Sequence, residues 1–149
     1  MSAPIRIGLI GTGRIGSLHA RLVARDVPGL VLSAVFDVDA GAAGKVARDL
    51  GVEVASAAAE LISSATTDAI AICTSTDTHV DLVLAASQTR KPVFLEKPVS
   101  LELAEVDRVL AAVDDAGSYL QVGFNRRFDP GHASVRAAIA GGEIGRAHV

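Results

Sequence analysis

The sequence predicts an α/β fold, a doubly wound parallel sheet with helices on both faces. Three observations carry that expectation. Apolar runs of strand length alternate with helical patterns along the chain. Half of the 149 residues are hydrophobic but only five are aromatic, so the core is built from Ala, Val, Leu and Ile, as in sheets covered on both sides. Polar residues gather just after the apolar runs, where open sheets of this kind bind ligands.

Ile5 to Ile10 reads as a strand bounded by glycine. Arg14 to about Arg25 is helical, with Ile15, Leu18, Leu22 and Val23 expected on the buried stripe and Pro28-Gly29 as its end. Leu30 to Phe36 is a second strand. Ala40 to Leu50 is helical and stops at Gly51, a residue suited to the left-handed conformation past a helix end. Val52 to Ala55 is a short strand and Ala58 to Ile62 a short helix. Ala69 to Cys73 is a strong strand, followed by a helix from about His79 to Ser87 and the apolar triplet at 93–95. Leu103, Val106, Leu110 and Val113 mark the next helix, with Ser100 available as N-cap and Gly117 past the end. Tyr119 to Phe124 is a further strand, and Asp129-Pro130 opens a last helix that ends at Gly141-Gly142.

The length fits one domain over residues 1–149, with no repeats or linker. A net charge of −3 gives no basic footprint for nucleic acid. Cys73 is the single cysteine, which excludes an internal disulfide and suits a reducing compartment. The N-terminus, MSAPIRIGLIG, has too little charge and apolar length for a signal peptide or a membrane span. The expectation is a soluble, cytoplasmic protein with no membrane partner and no metal site.

After the first strand comes Gly11-Thr12-Gly13-Arg14-Ile15-Gly16, a G-x-G-x-x-G that opens a helix. Its glycines suit a tight turn, close approach of backbone to a diphosphate, and close packing of helix on strand. The helix start offers unpaired N–H groups and partial positive charge to that diphosphate. A glycine-rich strand–helix turn without a ligand is the plainer alternative. Asp37 ends the second strand 21 residues beyond Gly16, near the spacing of a carboxylate that binds an adenosine ribose. Such a carboxylate repels a 2′-phosphate, so NAD is expected over NADP. Asp37 could instead cap the following helix, a task open to Asp39 as well. Arg14 could face a phosphate or solvent.

Thr74-Ser75-Thr76-Asp77-Thr78-His79 follows the strand at 69–73. Its hydroxyls can bind a ribose or, equally, cap the next helix through Thr76 or Asp77. His79, in the first helical turn, suits a surface or structural role. Glu96 and Lys97 follow the triplet at 93–95 and precede Pro98. A partly desolvated lysine there can exchange protons with a hydroxyl, and Glu96 can hold it or touch a cofactor. An ordinary surface ion pair is the competing account. Asn125, Arg126 and Arg127 could bind a polar substrate or be loop charges.

GTGRIG, EKP and GFNRRFDP, at these positions, resemble the glucose–fructose oxidoreductase and inositol dehydrogenase (Gfo/Idh/MocA) family, and GFNRRFDP with GEIG most resembles its inositol 2-dehydrogenase branch. The resemblance covers essentially the whole chain. It implies an NAD-dependent oxidoreductase acting on a polyol or sugar, with a Rossmann domain here and a further α+β domain in relatives. Gly11, Gly13, Arg14, Ile15 and Gly16 would then meet the diphosphate and Asp37 the ribose. Thr74, Thr76 and His79 would line the far side of the cofactor, with Glu96 near the nicotinamide ribose. Lys97 would be the catalytic lysine. Asn125 and Arg127 are candidates for substrate contact.

The family's second domain carries an aspartate and a histidine spaced D-x-x-x-H, the histidine acting as base. None of His19, His79, His132 and His148 has an aspartate four residues before it. Arg146 to Val149 fall where relatives begin their second sheet. The chain is thus expected to be the cofactor half of such an enzyme, turning over poorly by itself. A non-catalytic dinucleotide-binding or sensing module that works through a partner protein is the alternative. A homo-oligomer, or association with a separate C-terminal segment, would cover the exposed surface.

Overall fold

The computed structural model describes residues 3–145. Its strands are the apolar runs: β1 (Ile5–Ile10), β2 (Leu30–Phe36), β3 (Glu53–Val54), β4 (Ala69–Ile72), β5 (Val93–Leu95) and β6 (Leu120–Val122). They form one sheet in the order β3-β2-β1-β4-β5-β6, with every neighbouring pair parallel. Parallel neighbours need crossover connections, and helices supply them. These are α1 (Arg14–Arg25), α2 (Ala40–Leu50), α3 (Ala58–Ser63), α4 (His79–Ser87) and α5 (Leu103–Asp115), and α6 (Pro130–Ala140) follows β6. The doubly wound sheet expected from the sequence is present. Its strand order reverses between β1 and β4.

Strand alternation splits the core into two layers. Ile10, Ile70, Ile72, Val93 and Leu95 pack with Leu61, Val83, Val109 and Val113 from α3, α4 and α5. Leu9, Val35, Ala71 and Cys73 pack with Ala20, Ala43 and Val46 from α1 and α2.

Two helices present a different face from the expected one. In α1 the buried residues are Gly16 and Ala20, whereas Ile15, Leu18 and Leu22 are 36%, 45% and 37% exposed. The cause is the start of the helix, where Gly16 abuts the backbone of Gly11 and so turns the small-residue face to the sheet. In α5 the buried pair is Val109 and Val113, and Leu103 and Leu110 are exposed. Ser100 is not its N-cap: Glu102 is, and the Ser100 hydroxyl accepts the Glu102 N–H at 3.1 Å.

Strand β6 stops at Val122, short of Phe124, because the Phe124 N–H turns back to the Val122 carbonyl. A 3-10 turn, Asn125–Phe128, replaces the expected loop, and another, Thr76–Thr78, precedes α4. Asp39 caps α2 and Asp129 caps α6 through their side chains. No residue of α6 is buried. Among the described residues no helix is long and apolar enough to cross a membrane. The expected start of a further domain, at residues 146–149, lies outside the described residues.

Candidate functional site

β1 ends at Ile10 and the chain turns at Gly11, whose φ of +92° favours glycine. A side chain there would come within 2.6 Å of the Cys73 carbonyl carbon, so the loop lies directly against the end of β4. At Gly16 an added Cβ would stand 1.8 Å from the Gly11 oxygen. The fold itself requires both glycines. Gly13 is different: its φ is −60°, and nothing lies within 4 Å of where a Cβ would be. The Ser17 hydroxyl donates to the Thr12 carbonyl at 2.6 Å and steadies the loop. Arg14 and Ile15 are exposed at the start of α1, where the first N–H groups have no partner within the helix.

Asp37 closes the loop from the tip of β2. One carboxylate oxygen accepts the Thr12 N–H at 2.5 Å and the Thr12 hydroxyl at 3.0 Å, and the other accepts the Asp39 N–H at 2.9 Å. Burial works to raise the pKa of this carboxyl. Hydrogen bonds from the Thr12 and Asp39 backbones, the Thr12 hydroxyl and the Val38 backbone outweigh it and hold the group below its ordinary value.

Between these tips and β4 lies a groove of about 540 Å³, lined by Gly11, Gly13, Asp37, Val38, Thr74 and Ser75 among others. It sits at the C-terminal ends of the strands, at the reversal of strand order, where such sheets bind ligands. Thr74 lines it and accepts a hydrogen bond from the Thr78 hydroxyl at 2.7 Å. Thr76 is half-buried and His79 is 1% exposed, and neither is in the groove wall. His79 stands behind it, with Nδ1 2.7 Å from the Pro98 carbonyl oxygen and Nε2 3.1 Å from that of Thr74. Carbonyls only accept, so a neutral ring donates to one of them. Neither Thr76 nor Asp77 caps a helix through its side chain.

At the tip of β5 the structure adds a residue that the sequence did not single out. Glu96 Oε1 lies 2.7 Å from His19 Nε2 on α1, and its other oxygen accepts the Lys97 backbone N–H at 3.3 Å. The Glu96 carboxylate therefore does not hold the Lys97 ammonium. Lys97 is exposed and makes no ion pair with a described residue. The His19 ring meets Phe94 edge-on, with centroids 5.1 Å apart. The available signal was spacing, since a histidine three residues past Gly16 shares its side of the helix. Cys73, beneath this edge, has its thiol pushed up to about 12 by burial and then by the Glu96 charge.

Asn125 and Arg127 are exposed in the turn after β6. Arg127 lines a separate hollow with His132 and Arg136, not the groove. Among the described residues no cluster of side chains could hold a metal.

The sequence model of a family described as "Oxidoreductase family, NAD-binding Rossmann fold" matches residues 5–124. The chain is 42% identical over 146 residues to a myo-inositol 2-dehydrogenase of Thermotoga maritima, covering 97% of this chain and 43% of that protein. It is 43% identical over 141 residues to an inositol 2-dehydrogenase of Rhizobium meliloti, covering 95% of this chain and 42% of that protein. Among solved structures it is similar to a scyllo-inositol dehydrogenase of Lactobacillus casei with bound NAD(H) and scyllo-inositol. That match has a TM-score of 0.89 and 28% identity, and covers 95% of this chain and 42% of the other. The chain spans less than half the length of the curated relatives it matches.

Proposed function

The chain belongs to this oxidoreductase family with its NAD-binding Rossmann fold, and on that premise we propose that it is the cofactor-binding part of an NAD-dependent dehydrogenase that oxidises a CH–OH group of an inositol-like polyol. Gly13 is the observation that carries the dinucleotide assignment. The fold has room for a side chain there and no need of a positive φ, but the position lines the groove and is glycine. A diphosphate approaching the backbone accounts for that choice.

In this proposal Gly11, Gly13, Arg14, Ile15 and Gly16 receive the diphosphate, and Asp37 accepts the adenosine ribose hydroxyls. The Asp37 charge disfavours a 2′-phosphate, which selects NAD over NADP. Thr74 contacts the cofactor directly. Thr76 and His79 support that wall, His79 packed between the Thr74 and Pro98 carbonyls and donating to one of them. Glu96 lies at the nicotinamide ribose. Bound nicotinamide supplies a hydride acceptor. Lys97 is the catalytic lysine that touches the substrate hydroxyl, its ammonium paired with no carboxylate of a described residue. Asn125 and Arg127 are the proposed substrate contacts outside the groove. We extend the proposal to one domain over 1–149, a cytoplasmic setting, and a homo-oligomer or a separate C-terminal segment as partner. A clean monomer in light scattering would count against self-association.

The test is a fluorescence titration with NADH and NADPH. The wild-type chain should saturate with NADH and bind NADPH more weakly. Gly13→Ala should keep the wild-type unfolding midpoint and weaken NADH about tenfold, roughly 1.4 kcal/mol. No saturable response to NADH in the wild-type chain removes the dinucleotide assignment.

A further inference from the structure

We propose that His19 is a positioning residue for the nicotinamide end of the site. It fixes the Glu96 carboxylate, and with it the Glu96-Lys97-Pro98 turn, to the helix that begins at the glycine loop. The proposal rests on the dinucleotide assignment and says how its two ends are held in register.

The contact joins two distant parts of the chain. Glu96 Oε1 lies 2.7 Å from His19 Nε2, across 77 residues of sequence. A carboxylate only accepts, so Nε2 carries the hydrogen and donates it. His19 is five residues past Arg14, about 7.5 Å along the axis of a helix. The diphosphate anchor and the donor to Glu96 thus share one rigid element.

Neighbouring residues pack against the pair. Phe94 meets the imidazole edge-on at 5.1 Å and limits its rotation. Gly123, at the end of β6, makes room for both. A Cβ there would come within 3.0 Å of Phe94 Cζ and 3.4 Å of Glu96 Oε1.

The chemical consequence concerns Lys97. Glu96 divides its oxygens between His19 and the Lys97 backbone N–H. Without His19, the cation next along the chain is the Lys97 ammonium itself. There the carboxylate would pair with the ammonium and draw it away from the substrate hydroxyl. His19 holds the carboxylate off that ammonium. His19 and Glu96 are only 26% and 20% exposed at the sheet edge, so the pair also contributes to folding.

The experiment compares NADH with ADP-ribose, which lacks nicotinamide, by titrating wild type, His19→Ala and His19→Gln. His19→Ala should weaken NADH about fivefold and leave ADP-ribose within about twofold. His19→Gln, whose amide can donate to Glu96, should recover most of the NADH loss. In the wild-type chain the imidazole nitrogen NMR signals of His19, identified by their loss in His19→Gln, should shift with NADH but not with ADP-ribose. That readout stands if His19→Ala does not fold. Unchanged NADH affinity in His19→Ala overturns the proposal, as does an equal loss for both ligands. Identical His19 signals with the two ligands do the same. If wild type binds neither ligand, the dinucleotide assignment itself has failed.

Discussion

The two edges of the sheet use their charges differently. At the N-terminal edge, Arg6 gives its guanidinium to Asp68 at 2.7 and 2.9 Å and to the Ala65 carbonyl at 3.0 Å. The Arg6 hydrogen bonds hold the Asp68 carboxyl far below the usual carboxylate range. Lys91 Nζ donates to the Ile62 and Ser64 carbonyls, both at 2.6 Å, and so closes the end of α3. At the C-terminal edge, Arg14, Lys97 and Arg127 are exposed and make no ion pair with a described residue. One edge spends its cations on the chain. At the other, Arg126 pairs with Asp129, but Arg14, Lys97 and Arg127 stay unpaired among the described residues, as the proposed binding edge would require.

The most severe way to break this contrast is Gly16→Ala. Its Cβ would stand 1.8 Å from the Gly11 oxygen, a backbone atom that cannot swing aside. The expected cost is about 3 kcal/mol in urea unfolding, together with loss of NADH binding. A wild-type midpoint would mean that helix and loop are not interlocked. The paired substitutions Lys91→Met and Lys97→Met sharpen the contrast directly. Removing the Lys91 ammonium strands two carbonyls and should cost about 2 kcal/mol with NADH affinity retained. Lys97→Met should stay within about 0.5 kcal/mol of wild type in stability. A larger loss at Lys97 than at Lys91 would reverse the assignment of the two edges.

The strands were legible because short apolar runs alternate with helical patterns along the chain, and Asp37 stood out by its distance to Gly16. The buried faces of α1 and α5 were not. Ile15, Leu18 and Leu22 have helical spacing, but periodicity does not tell a face that meets this sheet from one left outside it. In α1 the deciding contact is the Gly16–Gly11 approach, which appears only once β1 and α1 are packed. β6 was overextended because Tyr119 and Phe124 have strand propensity, while the hydrogen bond that turns Phe124 back is local geometry. His19 went unseen because its partner is 77 residues away. His79 was placed beside the cofactor by resemblance, whereas the structure buries it behind the wall and ties it to two carbonyls.

The smallest expected effect belongs to Asp37, an acid that serves both the chain and the proposed ligand. Its carboxylate accepts three hydrogen bonds from Thr12 and Asp39, and they hold its pKa below the ordinary value against the opposing effect of burial. A carboxyl with a depressed folded value adds stability that is complete above its unfolded value, about 4, and is lost as pH falls through the lower folded value. Asp37→Asn keeps one carbonyl acceptor and loses the charge. Wild type should therefore be the more stable of the two at pH 7, by the same margin at pH 5.5, with the gap narrowing below pH about 4 in urea titrations. The same variant should narrow the preference for NADH over NADPH, since a neutral amide repels a 2′-phosphate less. A stability gap that persists undiminished to pH 3 would mean that Asp37 shapes the loop through its form and not through its charge. The selection of NAD would then have to come from another residue of the groove.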